Sequence, residues 1–445
     1  MRAARAAPDS SQRRRLLDAM VAAAARYGYG GASVARVVKE AGVSRATFYE
    51  LFEDRDSCFL AAYRSLAEAI QGAIPDNAQQ PLGELIQELL SEADRSPAAA
   101  RVALIEGLAG DASVRTEHEA VWTIVEDRLE AYLAVPPGGA APLQIPARAL
   151  MGGVTGVVAP RIFRGEAGHL EELRDDLLAW IDSYALPSPP ARLSLAAWRE
   201  KGAGLSGVAD EALGLEVLGR TLPRGRGALS PARVAKEQRL RILAAVAELS
   251  REKGYSATTV ADIVAVAGIT REAFYDQFRD KDDAFLATQA FGLEASVAFT
   301  AARFFARAEW PDRVWDGLEA LLSYVSGQKS LMYVELIEVY AAGNAAIHRS
   351  FESRMAYTLF LEEGYRQGPD GSKVPRLVSE AISGVIQELF RNQIVIGRGE
   401  NMLELLPLIA YLTLTPFIGA ASALDLVEAK VGEPARDRRG SPARG

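Results

Sequence analysis

Hydroxyl, guanidinium and phenol side chains recur in this chain at one spacing: Ser33, Ser44, Arg45, Thr47, Tyr49 and Arg55, then Thr259, Thr270, Arg271, Tyr275 and Lys281. Ser33 and Thr259 each precede a short apolar helical pattern. There the hydroxyl, the free first-turn amides and the helix dipole together favour a phosphate. Arg45 and Arg271 open short helices with polar outer faces, so they can reach base edges, with guanine the preferred partner of a bidentate arginine. The chemistry implied is recognition rather than catalysis.

The elements that must hold these groups are written twice. Residues 14–61 and 240–287 align without a gap at a constant offset of 226, matching Gly28-Tyr29, Ala41-Gly42, Arg45, Phe48-Tyr49, Phe52 and Phe59-Leu60-Ala61 to Gly254-Tyr255, Ala267-Gly268, Arg271, Phe274-Tyr275, Phe278 and Phe285-Leu286-Ala287. In the first copy Leu16, Leu17, Met20 and Ala24 share one helical face, and Gly28 stops that helix. Ser33 stands ready to cap a second helix whose Val34, Val37, Val38 and Ala41 face inward, and Gly42 ends it. Ser44 caps a third, Arg45 to Leu51, with Phe48 and Phe52 inward and Arg45, Thr47 and Tyr49 outward. In the second copy Thr259 with Asp262 reads as a capping box, and Thr270 caps the third helix. Two short helices around a glycine turn make a helix-turn-helix.

This pattern resembles the DNA-binding module of the TetR family of transcriptional regulators. Weaker echoes follow: Leu104-Ile105-Glu106 with Leu336-Ile337-Glu338, and Val154-Thr155-Gly156 with Ile382-Ser383-Gly384. The resemblance implies an all-α fold of two consecutive TetR-like units, each a three-helix reading head followed by a helical body for ligand and dimerisation. It implies phosphate contacts for Tyr49 and Tyr275, and a basic phosphate clamp for Arg55 and Lys281. It also implies that the helix after each head couples a pocket to DNA binding. Glu50 and Asp276 depart from the family's usual His or neutral residue, and an acid there repels phosphate although it can accept from cytosine.

With 445 residues the chain is long enough for two such units. The expected division is a first head over 1–60, a first body over 61–186, a linker over 187–235, a second head over 236–290, a second body over 291–431 and a disordered tail over 432–445. The linker carries Pro187, Pro189 and Pro190 and several glycines, with a short helix expected near Leu193 to Glu200. The formal net charge is −8. Residues 1–60 nevertheless hold ten Lys/Arg against seven Asp/Glu, and residues 223–288 hold eleven against nine, so the acid excess lies in the bodies. Cationic heads on acidic bodies favour phosphate at the heads and discourage loose adhesion elsewhere.

The single Cys58 and the lack of a secretory pattern point to the cytoplasm. Pro407 and Pro416 interrupt the apolar run Leu405 to Leu424, which speaks against a membrane span, and the resemblance implies that this segment is a buried helix at the subunit interface. Three histidines and no nucleophile-base or ligand spacing argue against an enzyme, a metal or a cofactor. Residues 289–445 hold sixteen aromatics against seven in 62–222, which favours a ligand pocket in the second body, with Trp315, Tyr333, Tyr340 and Tyr357 as its expected walls.

The function expected is a ligand-responsive DNA-binding regulator, a repressor in the family's usual sense. Its partners would be a double-stranded operator and a small-molecule effector. The two bodies should pair within one chain as a pseudo-dimer, with a further homodimer as the fallback. The alternative is a ligand-binding or scaffolding helical protein with degenerate heads, and salt-dependent DNA binding separates the two.

Overall fold

The computed structural model describes residues 10–73, 80–134, 142–186, 194–205, 230–367 and 374–432. The tail beyond 432 and the linker segments 187–193 and 206–229 lie outside them. The architecture is all-α, and among the described residues no strand forms. The first repeat runs through α1 (Ser10–Tyr27), α2 (Val34–Ala41), α3 (Arg45–Leu51), α4 (Arg55–Ala73), α5 (Leu82–Arg95), α6 (Pro97–Leu104), α7 (Ala112–Ala134), α8 (Ala147–Arg164) and α9 (Arg174–Asp182). A linker helix, α10 (Leu195–Gly202), follows. The second repeat runs through α11 (Pro231–Lys253), α12 (Val260–Ala267), α13 (Arg271–Tyr275), α14 (Lys281–Phe304), α15 (Trp310–Gly327), α16 (Lys329–Tyr333), α17 (Asn344–Thr358), α18 (Val378–Val395), α19 (Leu406–Ile418) and α20 (Ala420–Gly432). A single π-helical turn, Val334–Glu338, continues α16.

Local chemistry sets the head boundaries. α2 and α12 end at Gly42 and Gly268, which take left-handed conformations (φ 62° and 64°) and return their amides to the last-turn carbonyls. Inside the first head, Leu16, Met20, Val37, Phe48 and Cys58 are fully buried. Each such apolar side chain contributes about 1.5–3 kcal/mol through burial. Leu243, Ile263, Phe274 and Phe285 do the same in the second.

The compact units do not follow the repeat. One comprises Met1–Ala140, Val157–Asp175 and Val339–Ile347, and the other Ala141–Gly156, Asp176–Glu338 and His348–Gly445. The second unit thus gathers helix segments of both repeats. Within it, Gly152 and Gly156 on α8 approach Gly384 on α18 so closely that a Cβ on Gly384 would lie 2.4 Å from the Gly152 carbonyl. Arg148 pairs with Glu388 at 3.0 Å, and Arg391 pairs with the same carboxylate at 2.9 Å. Burial alone would raise Glu388, but the guanidiniums of Arg391 and Arg148 outweigh it and hold the carboxyl below its ordinary range.

On the same unit the Tyr184 hydroxyl donates to the Leu412 carbonyl at 2.8 Å. The linker helix is docked there as well: Trp198 is buried and stacks on Tyr411 with ring centroids 5.2 Å apart. α19 is buried along nearly its whole length and stops at Gly419. No helix of the described residues is long and apolar enough to cross a membrane.

Candidate nucleic-acid interface and ligand cavity

Three of the four expected hydroxyl caps form. Ser44 Oγ accepts from the Thr47 amide at 3.0 Å and shares a hydrogen bond with the Thr47 hydroxyl. Thr270 Oγ1 accepts from the Ala273 amide at 3.1 Å. Thr259 and Asp262 close a reciprocal capping box, with 3.2 Å to the Thr259 hydroxyl and 2.8 Å to the Asp262 carboxylate. Lys253 and Thr259 hold that carboxyl down at about 2.

Ser33 occupies the corresponding position without a side-chain cap bond, contrary to the role expected of its hydroxyl. Three residues on, Arg36 stands in place of Asp262, so the reciprocal box of the second head has no counterpart here. The Arg36 guanidinium instead covers the Tyr27 ring at 4.4 Å and donates to the Gly31 carbonyl at 2.5 Å.

The outer faces of α3 and α13 carry Arg45 and Tyr49, and Arg271 and Tyr275, all exposed. Each tyrosine is 52% and 47% accessible, respectively, and its ring stands edge-on to the buried phenylalanine beside it, Phe48 or Phe274. The phenol is therefore held while its hydroxyl points away from the core. Arg271 leans over Tyr275 and donates to its hydroxyl at 3.4 Å. Glu50 and Asp276 share these exposed faces.

Arg55 and Lys281 are engaged inside their heads. Arg55 sits 4.4 Å over the Tyr29 ring, and Lys281 sits 3.9 Å over the Tyr255 ring while donating to the Tyr255 carbonyl at 2.9 Å. Partial burial lowers the Lys281 ammonium from its ordinary range. The Tyr29 and Tyr255 hydroxyls donate to Asp56 and Asp282, so each cation, tyrosine and acid lock the Gly-Tyr turn.

Sequence reasoning assigned no role to the repeated Leu-Ile-Glu. In the first repeat the Tyr29 amide donates to Glu106 at 2.7 Å, and in the second the Tyr255 amide donates to Glu338 at 2.7 Å. Both carboxylates are buried. Their recurrence in the two bodies was the signal available.

A cavity of about 150 Å³ opens in the second body. Leu293, Phe304, Leu321, Met332, Phe360 and Phe390 contribute to its mainly apolar wall. Polar side chains, Arg354 and Gln387 among them, line it as well. Glu335 accepts from Gln289 at 3.2 Å and Ser350 at 2.9 Å, and burial raises its carboxyl above the ordinary range. Thr300 and Thr413 line the cavity, and among the described residues their buried hydroxyls have no hydrogen-bond partner. Of the four aromatics expected as walls, Tyr357 lines the cavity. Trp315, Tyr333 and Tyr340 are outside the lining: Trp315 is buried in the core, and Tyr340 packs against the apolar cluster of the first head.

One of the lining helices, α14, differs here from α4 of the first repeat. Thr288, Gln289, Gly292 and Ser296 line the cavity, whereas 226 residues earlier stand Ala62, Tyr63, Leu66 and Ile70. Tyr63 is buried there and bonded to His118 at 2.8 Å.

The sequence pattern of the bacterial regulatory proteins of the tetR family matches residues 16–62 and 242–288. No curated protein is significantly similar to the chain. Among solved structures, the fatty acid degradation regulator FadR from Bacillus halodurans is 18% identical, covering 40% of this chain and 94% of its own, at a TM-score of 0.36. The transcriptional regulator FadR from Bacillus subtilis, solved with stearoyl-CoA, is 18% identical over 39% and 97% at 0.36. A TetR family transcription regulator from Marinobacter aquaeolei VT8 is 16% identical over 42% and 97% at 0.36. These likenesses are too distant to carry over a ligand or an operator.

Proposed function

We propose that this chain, which matches the DNA-binding pattern of the bacterial tetR family twice, is a transcriptional regulator in which one chain acts as a pseudo-dimer with two unlike heads. Each head contacts one half-site of a double-stranded operator, and an apolar small molecule in the second body releases the DNA. The observation that carries the reading is the pair of capped recognition helices with Arg45 and Tyr49, and Arg271 and Tyr275, on their outer faces. Arg45 and Arg271 serve as base-reading groups. Tyr49, Tyr275 and the α2 and α12 N-termini serve phosphate. Arg55 and Lys281 act mainly by holding the Gly-Tyr turn against the backbone they face.

The pseudo-dimer is supported by the gathering of α8, α9, α18 and α19 segments from both repeats in one compact unit. Pairing of equivalent surfaces is the mark of a two-fold interface, here supplied by duplication. The effector site is supported by the cavity and by the threonine hydroxyls beside it that have no partner among the described residues.

Selection of bound fragments from random genomic DNA by the purified full-length chain tests the reading. Recovery of a discrete, non-palindromic site whose affinity falls steeply with salt is expected. Salt-insensitive binding or no enriched sequence would favour a ligand-binding protein with degenerate heads.

A further inference from the structure

The π-helical turn Val334–Glu338 touches two places at once. Glu335 and Leu336 line the cavity, and Glu338, at the end of the same turn, accepts the Tyr255 amide in the second head. π-turns are rare, hold one residue more per turn than an α-helix, and occur often at functional sites. If such a turn relaxes to α-helical spacing, the residues after it rotate relative to those before it. A carboxylate at its end is then displaced from whatever it accepts.

The two repeats differ here in a way that bears on which head responds. Glu106 is braced by Arg101, whose Nε lies 3.0 Å from it and whose other end donates to Asn344 at 2.9 Å. At the position equivalent to Arg101, five residues before Glu338, stands Tyr333. The described residues form no ion pair with Glu338, and its hydrogen bond is to the Tyr255 amide. In the first repeat the residues before Glu106 are the end of α6 (Pro97–Leu104), and a 3₁₀ turn, Glu106–Ala109, starts at the carboxylate, whereas in the second the π-turn ends there.

We propose that Glu338 is the positioning residue through which occupancy of the second-body cavity is transmitted to the second head: a ligand pressing on Glu335 and Leu336 withdraws the Glu338 carboxylate from the Gly254-Tyr255 turn. The unbraced latch makes the second head the responsive one, and the Arg101-braced latch keeps the first head fixed. This rests on the reading of the cavity as the effector site, but it is tested without DNA and without the natural effector.

The test is amide hydrogen exchange of the Gly254–Thr258 turn in the full-length chain, with cavity filling as the stand-in for ligand. Gly292→Leu installs the residue that the first repeat has at Leu66. A Cβ at Gly292 meets only the Leu331 side chain, at 3.8 Å. Glu338→Ala should speed exchange at the turn about tenfold, as expected for loss of one hydrogen bond to a charged acceptor. Gly292→Leu should speed it roughly threefold in the wild-type background through easier local opening, leave the Gly28–Ala32 turn unchanged, and add nothing in the Glu338→Ala background. Glu338→Gln keeps an acceptor oxygen and should retain both the protection and the response to Gly292→Leu. An unchanged turn in Gly292→Leu, or an equal acceleration with and without Glu338, overturns the proposal. So does loss of protection in Glu338→Gln. Because DNA is absent, failure here leaves the operator-selection result untouched and the two readings stay distinguishable.

Discussion

Gly156 and Gly384, equivalent residues of the two repeats, meet backbone to backbone: a Cβ on Gly156 would lie 2.5 Å from Gly384 Cα, and one on Gly384 would lie 2.6 Å from Gly156 Cα. A contact between a residue and its own equivalent is the contact made at a two-fold axis. In the proposed pseudo-dimer both partners stand on one chain, so closing the interface would require no second molecule.

Gly384→Leu should therefore destabilise the folded chain strongly. The added side chain meets backbone rather than a movable side chain, so the usual overpacking cost of about 1–3 kcal/mol is a lower bound. Gly72→Ala is the control, because a Cβ at Gly72 meets nothing within 4 Å. Denaturant unfolding that shows equal stability for both variants would remove the close approach as a structural constraint.

The heads should read different sequences. Arg45→Ala and Arg271→Ala should each cost roughly 1–3 kcal/mol on the selected operator and relax preference at one base pair, each in its own half-site. Binding arrays over single-base operator variants report this directly. A uniform loss on all DNA from Arg271→Ala would reduce it to a phosphate contact, and losses at both half-sites would mean that the heads read alike.

The heads were legible because their determinants are local. Caps, glycine stops and inward phenylalanines act across three or four residues, and Gly42, Ser44 and Phe48 lie within seven. The cap pattern at Ser33 is the same as at Ser44, yet its side-chain bond does not form. The cavity was less legible. Aromatic count cannot tell which ring faces a space and which fills the core: Tyr357 lines this cavity, and Trp315, Tyr333 and Tyr340 do not. The informative positions are those where bulk differs: extending the alignment past Ala287 at the same offset of 226 sets Gln289 against Tyr63 and Gly292 against Leu66. The regrouping of Ala141–Gly156 with the second repeat depends on long-range packing that no local pattern encodes.

Glu335 should make stability fall as pH rises. Burial raises its folded-state pKa above the ordinary 4.5, so the folded state holds the proton more tightly than the unfolded one between those two values. Stability then declines with increasing pH across that window and levels off above the folded value. Glu335→Gln cannot ionise. Its stability relative to wild type should rise from about pH 4.5 upward and be flat below, when urea unfolding is followed at successive pH values. A constant difference would mean that the carboxyl is no harder to ionise in the fold.

Cys58 tests the packing beneath the first head. Its thiol is fully buried in the apolar cluster, and burial pushes it up to about 12, so almost no thiolate is present at neutral pH. A thiol reagent such as 5,5′-dithiobis(2-nitrobenzoic acid) should react with it only after unfolding, and its rate in dilute urea should track the opening of the first head. Prompt native-state labelling would show that this core opens readily.

One ligand site per chain is the last expectation, and it follows from the mismatch between Tyr63 and Gln289. In the first repeat the Tyr63 ring is buried and hydrogen-bonded to His118. In the second, Gln289 and Gly292 leave the space open. Gln289→Tyr together with Gly292→Leu restores the first repeat's bulk and should abolish binding of a small apolar probe such as indole, as seen by calorimetry, while leaving both heads folded. Loss of the Gln289 bond to Glu335 will cost some stability, so Gln289→Leu serves as a second variant that removes the amide and adds less volume. If the doubly filled chain still binds the probe with unchanged stoichiometry, the site lies elsewhere. If wild type binds two equivalents with equal affinity, the first body holds a cavity as well, and the assignment of the response to the second repeat fails.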